Sequence, residues 1–312
     1  MNKKVVTIGG GHGQASLLAG MRDLKNIELS AVVSMFDSGG STGKLRKEFG
    51  LLPPGDVLKC ILALSPDREK VEKLIKHRFQ QNGKLKGHSL GNLLVLIFNQ
   101  FSSDFPKALS ALSEAFRVRE KVLPVTIIPS NIEATLEDGK KVFSEAAIDV
   151  PKGRRAAIKE LKVIAKKGKV KAYPPAVQAI KKADYLVLTY GDFYTSLVPN
   201  LVVPEIKNAC RNFKGKIIYF VNSYVKKGET DNYTGKDFVI NLEKYLGRKV
   251  DYVVLNDAKK RFKNSNLATP LIQGSSWEGR AIIKGDYCDH KSDFLYYDGE
   301  KTAKIVNKII NL

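Results

Sequence analysis

One stretch near the start of the chain restricts the fold more than any other. Val5-Val6-Thr7-Ile8 runs straight into Gly9-Gly10-Gly11-His12-Gly13-Gln14, and apolar residues follow at a helical spacing, Leu17, Leu18, Met21 and Leu24. That is a strand, a glycine turn and a helix. Glycines let the backbone turn tightly and present its N–H groups, and the N-terminus of the following helix favours an anion. The turn reads either as a phosphate site or as a tight connection with no ligand. The dinucleotide spacing G-x-G-x-x-G is not met, because Gln14 stands where the third glycine belongs when counted from Gly9 and Gly11.

The same rhythm recurs along the chain. Glu28-Leu29-Ser30-Ala31-Val32-Val33 reads as a second strand and leads to Asp37-Ser38-Gly39-Gly40-Ser41-Thr42-Gly43, a loop of glycines and hydroxyls at a strand end. In open α/β sheets that is where ligands sit. Asp37 lies about where the ribose-binding acid of a dinucleotide fold is found, so a nicotinamide cofactor stays open. Asp56 follows Pro53-Pro54-Gly55 at a helix start and reads as an N-cap or as a catalytic acid. His88 and Asn92 are four apart, before an apolar helix, and are expected to face the site or to serve its packing. A β-hairpin is expected around Asp138-Gly139, within an insert of roughly 131–173 beside the main sheet. Asp184 to Thr189 reads as a buried strand that ends in a third polar loop, Gly191-Asp192-Phe193-Tyr194-Thr195-Ser196. Asp251 to Asn256 reads as the last clear parallel strand, and Thr302 to Ile310 as a final helix. The expected fold is α/β: a Rossmann-like, doubly wound, mostly parallel sheet in a single domain over 1–312, with a small β-hairpin insert.

Composition narrows the function classes. The 43% hydrophobic content supports a sizeable core, and no apolar run reaches the roughly 18 residues of a membrane span. Three widely separated cysteines, Cys60, Cys210 and Cys288, form no C-x-x-C pair, so buried free thiols in a reducing cytoplasm are expected. The formal charge of +20 admits a polyanion partner. The lysines are dispersed, however, with no basic tail, so a generally basic surface is favoured over nucleic-acid binding. There is no Walker A lysine motif and no histidine spacing that builds a zinc site. Asp37, Asp56 and Asp192 are the carboxylates nearest the expected crevice, and one of them could hold Mg²⁺ between phosphates.

Taken in order, six motifs form a set: Gly9-Gly10-Gly11-His12-Gly13, Asp37-Ser38-Gly39-Gly40-Ser41-Thr42-Gly43-Lys44-Leu45-Arg46, Leu52-Pro53-Pro54-Gly55-Asp56, Gly87-His88-Ser89-Leu90-Gly91-Asn92, Tyr194-Thr195-Ser196-Leu197-Val198-Pro199-Asn200 and Gly228-Glu229-Thr230-Asp231. The set resembles the YvcK or gluconeogenesis factor family, of the CofD-like superfamily that includes the 2-phospho-L-lactate transferases, over nearly the whole chain. The resemblance implies a Rossmann-like fold. It also implies a cytoplasmic binding protein for UDP-sugars, linked to carbon metabolism, cell shape and envelope growth. The transferase branch implies the alternative, Mg²⁺-dependent transfer of a phospholactyl group from a nucleotide-diphosphate carrier, with Asp37 as catalytic residue and metal ligand.

Four departures from the family pattern fall in the expected crevice. His12 stands in place of a threonine, and Asp37-Ser38 in place of two aspartates. Leu58-Lys59 stands in place of Arg-Asn, and Thr189-Tyr190-Gly191-Asp192 in place of Gly-Pro-Gly-Ser. They imply that the fold and a nucleotide-type site are kept while the exact ligand has changed, and the loss of one aspartate weakens the metal-dependent transferase reading. The expected ligand set is Gly9, Gly10, Gly11, His12 and Gly13; Asp37, Ser38, Gly39, Gly40 and Ser41; His88 and Asn92; Gly191, Asp192, Thr195 and Ser196; and Asn222. Backbone N–H groups of Gly10–Gly13 and Gly39–Ser41 would hold a diphosphate, and Asp37 and Asn222 would meet sugar or base hydroxyls. Whether the chain forms a homo-oligomer is left open.

Overall fold

The computed structural model describes residues 2–50, 52–80, 83, 85–102, 104–151, 153–258, 267–268, 277, 279–292 and 296–312. Among the described residues, seven strands form the main sheet: Lys3–Gly9, Ile27–Val33, Lys121–Pro124, Tyr185–Leu188, Lys216–Phe220, Tyr252–Asn256 and Ala281–Gly285. Every adjacent pair is parallel. Counted along the chain, the strands lie in the order 3-2-1-4-5-6-7. Parallel strands are covered on both faces, so they read as continuous apolar runs. Val5 to Gly9 and Leu29 to Val33 are buried without interruption.

The order reverses between the first strand and the fourth, Tyr185–Leu188. Right-handed crossovers then place the connecting helices before and after the reversal on opposite faces, and the final helix, which follows the last strand, packs on Gly11–Met21. One group is Gly11–Met21, Gly55–Leu64 and Gly299–Ile310; the other is Pro174–Lys182, Pro204–Arg211 and Gly235–Leu246. The reversal opens a crevice above the carboxyl ends of the two central strands, and ligands of such sheets bind there.

The insert is a three-stranded antiparallel sheet. Ser130–Leu136 lies between Lys141–Phe143 and Ile158–Ala165, and the short helix Glu145–Asp149 connects two of its strands. Its inward residues Ile132, Ala134, Ile148 and Leu161 join the same hydrophobic core as the main sheet.

Two expectations need correction. Ala281–Gly285 adds a parallel strand beyond Tyr252–Asn256; it is short and half-exposed at a sheet edge, so its apolar signal is weak. Asp56 does not cap its helix. Pro54 occupies the N-cap and Asp56 lies inside the first turn, turned towards Lys59.

Candidate functional site

The three polar loops meet in the crevice. Helix Gly11–Met21 starts at the first loop, Gly40–Phe49 at the second, and Gly55–Leu64 just below it. Each N-terminus leaves unpaired backbone N–H groups and a partial positive charge. The turn depends on two glycines. Gly11 has a φ of +64°, which an L side chain rarely adopts. A Cβ on Gly13 would lie 2.7 Å from the Gly191 backbone nitrogen and 2.8 Å from the Tyr190 carbonyl carbon, so the first and third loops are in backbone contact.

Gln14 fills the place of the missing third glycine as a buried pin. Its amide donates to Thr7 Oγ1 at 3.1 Å and to the Val32 carbonyl at 3.1 Å, while Cys60 Sγ lies 3.7 Å from its Oε1. One side chain thus joins the first strand, the second strand and the helix Gly55–Leu64.

Two cavities open beside these loops. The first, of about 250 Å³, is lined among the described residues by five carboxylates, Asp37, Asp56, Glu145, Asp149 and Asp192, against one ammonium, Lys59. Tyr190, Tyr224, Tyr296 and Tyr297 add hydroxyls and rings. The second, of about 490 Å³, carries the cations Lys59, Arg68, Lys76 and Arg78 against Asp37 and Glu72, with apolar walls at Leu58, Leu62 and Ile75. His12, Ser16, Asp37 and Lys59 line both. One cavity is acidic, the other basic, and they share this wall.

At that junction Asp37 Oδ1 accepts the Gly39 N–H at 2.9 Å. Burial, and next the charge of Asp56, pushes the Asp37 carboxyl above the ordinary aspartate range. Lys59 Nζ lies 2.9 Å from Asp56 Oδ1, and the Asp56 charge holds the ammonium protonated. Burial, with Lys76, Lys59 and Arg68 nearby, lowers the His12 pKa and favours the neutral ring. His12 also packs against Tyr296 with ring centroids 5.1 Å apart.

The expected site residues divide into three groups. Gly11, His12, Gly13, Asp37, Gly191, Asp192, Thr195 and Ser196 line the acidic cavity. Gly39, Gly40, Ser41 and Asn92 line the basic one. Gly9, Gly10, Ser38, His88 and Asn222 stand behind the walls. His88 Nδ1 lies 3.0 Å from Ser41 Oγ, which also accepts from Asn92 Nδ2 at 3.1 Å, so the pair meets through a serine of another loop. His88 precedes the helix, whose N-cap is Ser89. Asn222 donates to the Gly191 carbonyl at 2.7 Å and supports the third loop.

Sequence reading missed Glu145, Asp149 and Lys226. Glu145 and Asp149 lie one turn apart on the insert's short helix, a spacing that carried a signal only once the insert was known to fold back. Burial raises the Glu145 carboxyl to about 7. Lys226 Nζ stands among Asp149, Asp192 at 2.9 Å and Glu229 at 3.6 Å.

Known proteins resemble the chain in sequence and in fold. The family model described as 2-phospho-L-lactate transferase CofD matches residues 5–284. The chain is 38% identical to the gluconeogenesis factor of Halalkalibacterium halodurans over 314 residues, 97% of this chain and 95% of that one. It is 33% identical to the gluconeogenesis factor of Bacillus subtilis over 312 residues, 97% and 96% of the two chains. A crystal structure of a protein from Bacillus halodurans is similar, with a TM-score of 0.91 at 30% identity, covering 98% of this chain and all of that one. By fold, motif order and sequence, the chain belongs to the CofD family and groups within it with the gluconeogenesis factors.

Proposed function

We infer that the crevice binds a nucleotide-diphosphate sugar, of the UDP-sugar type, and that the protein acts as a ligand-responsive regulator linked to carbon metabolism, cell shape and envelope growth. The observation that carries the reading is the pair of adjacent cavities of opposite charge that share a wall beneath three helix N-termini. A diphosphate suits the junction and the basic side, where the Gly39–Ser41 backbone, Lys59 and Lys76 meet it. A sugar suits the acidic side, because carboxylates accept hydrogen bonds from hydroxyls. The apolar wall of Leu58, Leu62 and Ile75 suits a base.

Isothermal titration of the full chain with UDP-N-acetylglucosamine, UDP-glucose and GDP tests this. Saturable binding of a UDP-sugar supports it; a folded sample that binds none of the three overturns it.

One observation favours a transferase instead: Asp37, a half-buried carboxyl with a raised pKa, stands at the junction where a phosphate ester would lie. In that reading Asp37 is the catalytic residue, and Asp37→Asn binds the donor normally but abolishes turnover. Mg²⁺ would fall to Asp37 and Asp56, the carboxylates at the junction. The donor set fits it poorly, because an ammonium, Lys59, already neutralises Asp56.

A further inference from the structure

That misfit has a constructive side. Asp37 and Asp56 both reach the helix start at Gly55: a Cβ on Gly55 would lie 2.9 Å from Asp37 Oδ2, and Asp56 is the next residue. Asp56 is buried, with 8% of its surface exposed. Two carboxylates so placed beside a phosphate site would repel both each other and the ligand. A divalent cation is the usual remedy. Here one turn of helix brings Lys59 back over Asp56, at i,i+3, so the countercharge is part of the chain. Lys59 is also exposed to both cavities, where it can meet a phosphate oxygen. It is among the residues by which the chain departs from the family pattern.

We propose that the Lys59 ammonium takes the place of a divalent cation between Asp37, Asp56 and the ligand, so that this protein binds a diphosphate without metal. Lys226 repeats the arrangement on the far side of the acidic cavity. Asp149, Asp192 and Glu229 have carboxylate oxygens all within 4.8 Å of one another, a spacing that could hold a metal ion, and the Lys226 ammonium pairs with all three. The inference rests on the reading of the crevice as a phosphate site, and its test has an arm that does not.

That arm uses Mn²⁺ alone, followed by the loss of its free-ion electron paramagnetic resonance signal. It is titrated into the full chain, Lys59→Asn, Lys59→Met and the double variant Lys59→Asn with Asp37→Asn. Lys59→Met keeps the packed stem and serves if Lys59→Asn fails to fold, and circular dichroism verifies each sample. Removal of the ammonium is expected to create one Mn²⁺ site at least about tenfold tighter than any the wild type has there, and the Asp37 substitution is expected to erase it. Equal binding by wild type and variants, or no gain in either variant, overturns the proposal.

The second arm measures UDP-N-acetylglucosamine affinity in EDTA and in Mg²⁺. The wild type is expected to change by less than about twofold, whereas Lys59→Met loses about tenfold or more in EDTA and recovers with Mg²⁺. A wild type that needs Mg²⁺ overturns the proposal. A wild type that binds no nucleotide in either medium overturns the reading of the ligand, and the Mn²⁺ arm still decides the role of Lys59.

Discussion

Ser38 and Glu145 hold each other across 107 positions of sequence. The Ser38 N–H donates to Glu145 Oε2 at 3.0 Å, its hydroxyl lies 3.4 Å from the same oxygen, and the Ala146 N–H donates to Ser38 Oγ at 3.0 Å. The insert is thereby fastened to the second glycine loop. Burial raises the Glu145 carboxyl to about 7, so the folded state favours the protonated form. A raised pKa contributes stability at low pH and loses it as pH rises through the window from about 4.5 to about 7. Glu145→Gln keeps an acceptor for Ser38 and removes the titration. The variant is expected to match wild type in acid and to exceed it by of the order of 1–3 kcal/mol above about pH 8. Thermal melting across the pH range tests this; parallel curves would contradict it.

Ser41 carries the second polar knot. Its hydroxyl is buried and meets both His88 and Asn92. Ser41→Ala leaves their polar atoms without that partner, at a cost of about 1–3 kcal/mol. Because Ser41 sits in the first turn of the helix over the basic cavity, ligand affinity should fall with it. Denaturant unfolding and ligand titration of the same sample measure the two effects, and an unchanged midpoint would remove Ser41 from this role.

Gly13→Ala places a methyl against the backbone of Tyr190 and Gly191, which has no rotamer to yield. Overpacking of this kind costs about 1–3 kcal/mol or more. The displaced loops should also lose ligand binding. Gly139→Ala, at a hairpin position with a φ of +82° and open space around it, is a control that pays only backbone strain. If both variants bind ligand alike, the contact between the loops does not set the crevice.

His12 is held towards the neutral form by burial and by its cationic neighbours. A bound diphosphate brings negative charge and favours protonation of the ring. Affinity for UDP-N-acetylglucosamine should therefore rise as pH falls from about 8 to about 6, by several-fold. His12→Ala should flatten that dependence. A wild-type affinity that stays level over the range would show that His12 does not face the phosphates.

Much of the architecture was legible because period and punctuation agree. Val5–Ile8 and Leu186–Leu188 are apolar runs that end in glycine loops, and both proved to be central parallel strands. Ala281–Gly285 was not legible, since an edge strand with two half-buried isoleucines has no pattern to set it apart. The crevice was legible through its loops, whose residues are local in sequence. Its charges were harder. Glu145 lines the acidic cavity from the insert, Lys226 pairs with its carboxylates from the short strand Val225–Lys226, and only tertiary packing joins them. Gln14 looked like a defect in a fingerprint. Its contacts show a side chain that binds three elements where a glycine would only have let two approach.

The strand order has a consequence for how the molecule is made. Lys3–Gly9 leaves the ribosome roughly 20 residues ahead of Ile27–Val33 and can pair with it soon afterwards, yet its other neighbour is Tyr185–Leu188. At roughly 5–20 residues per second, that partner arrives about 8–30 seconds later. Until then the central strand keeps one hydrogen-bonding edge open, and the third loop of the crevice does not yet exist. The nascent chain must shelter that edge throughout the interval, and ligand can meet its complete site only when the second half of the chain has emerged.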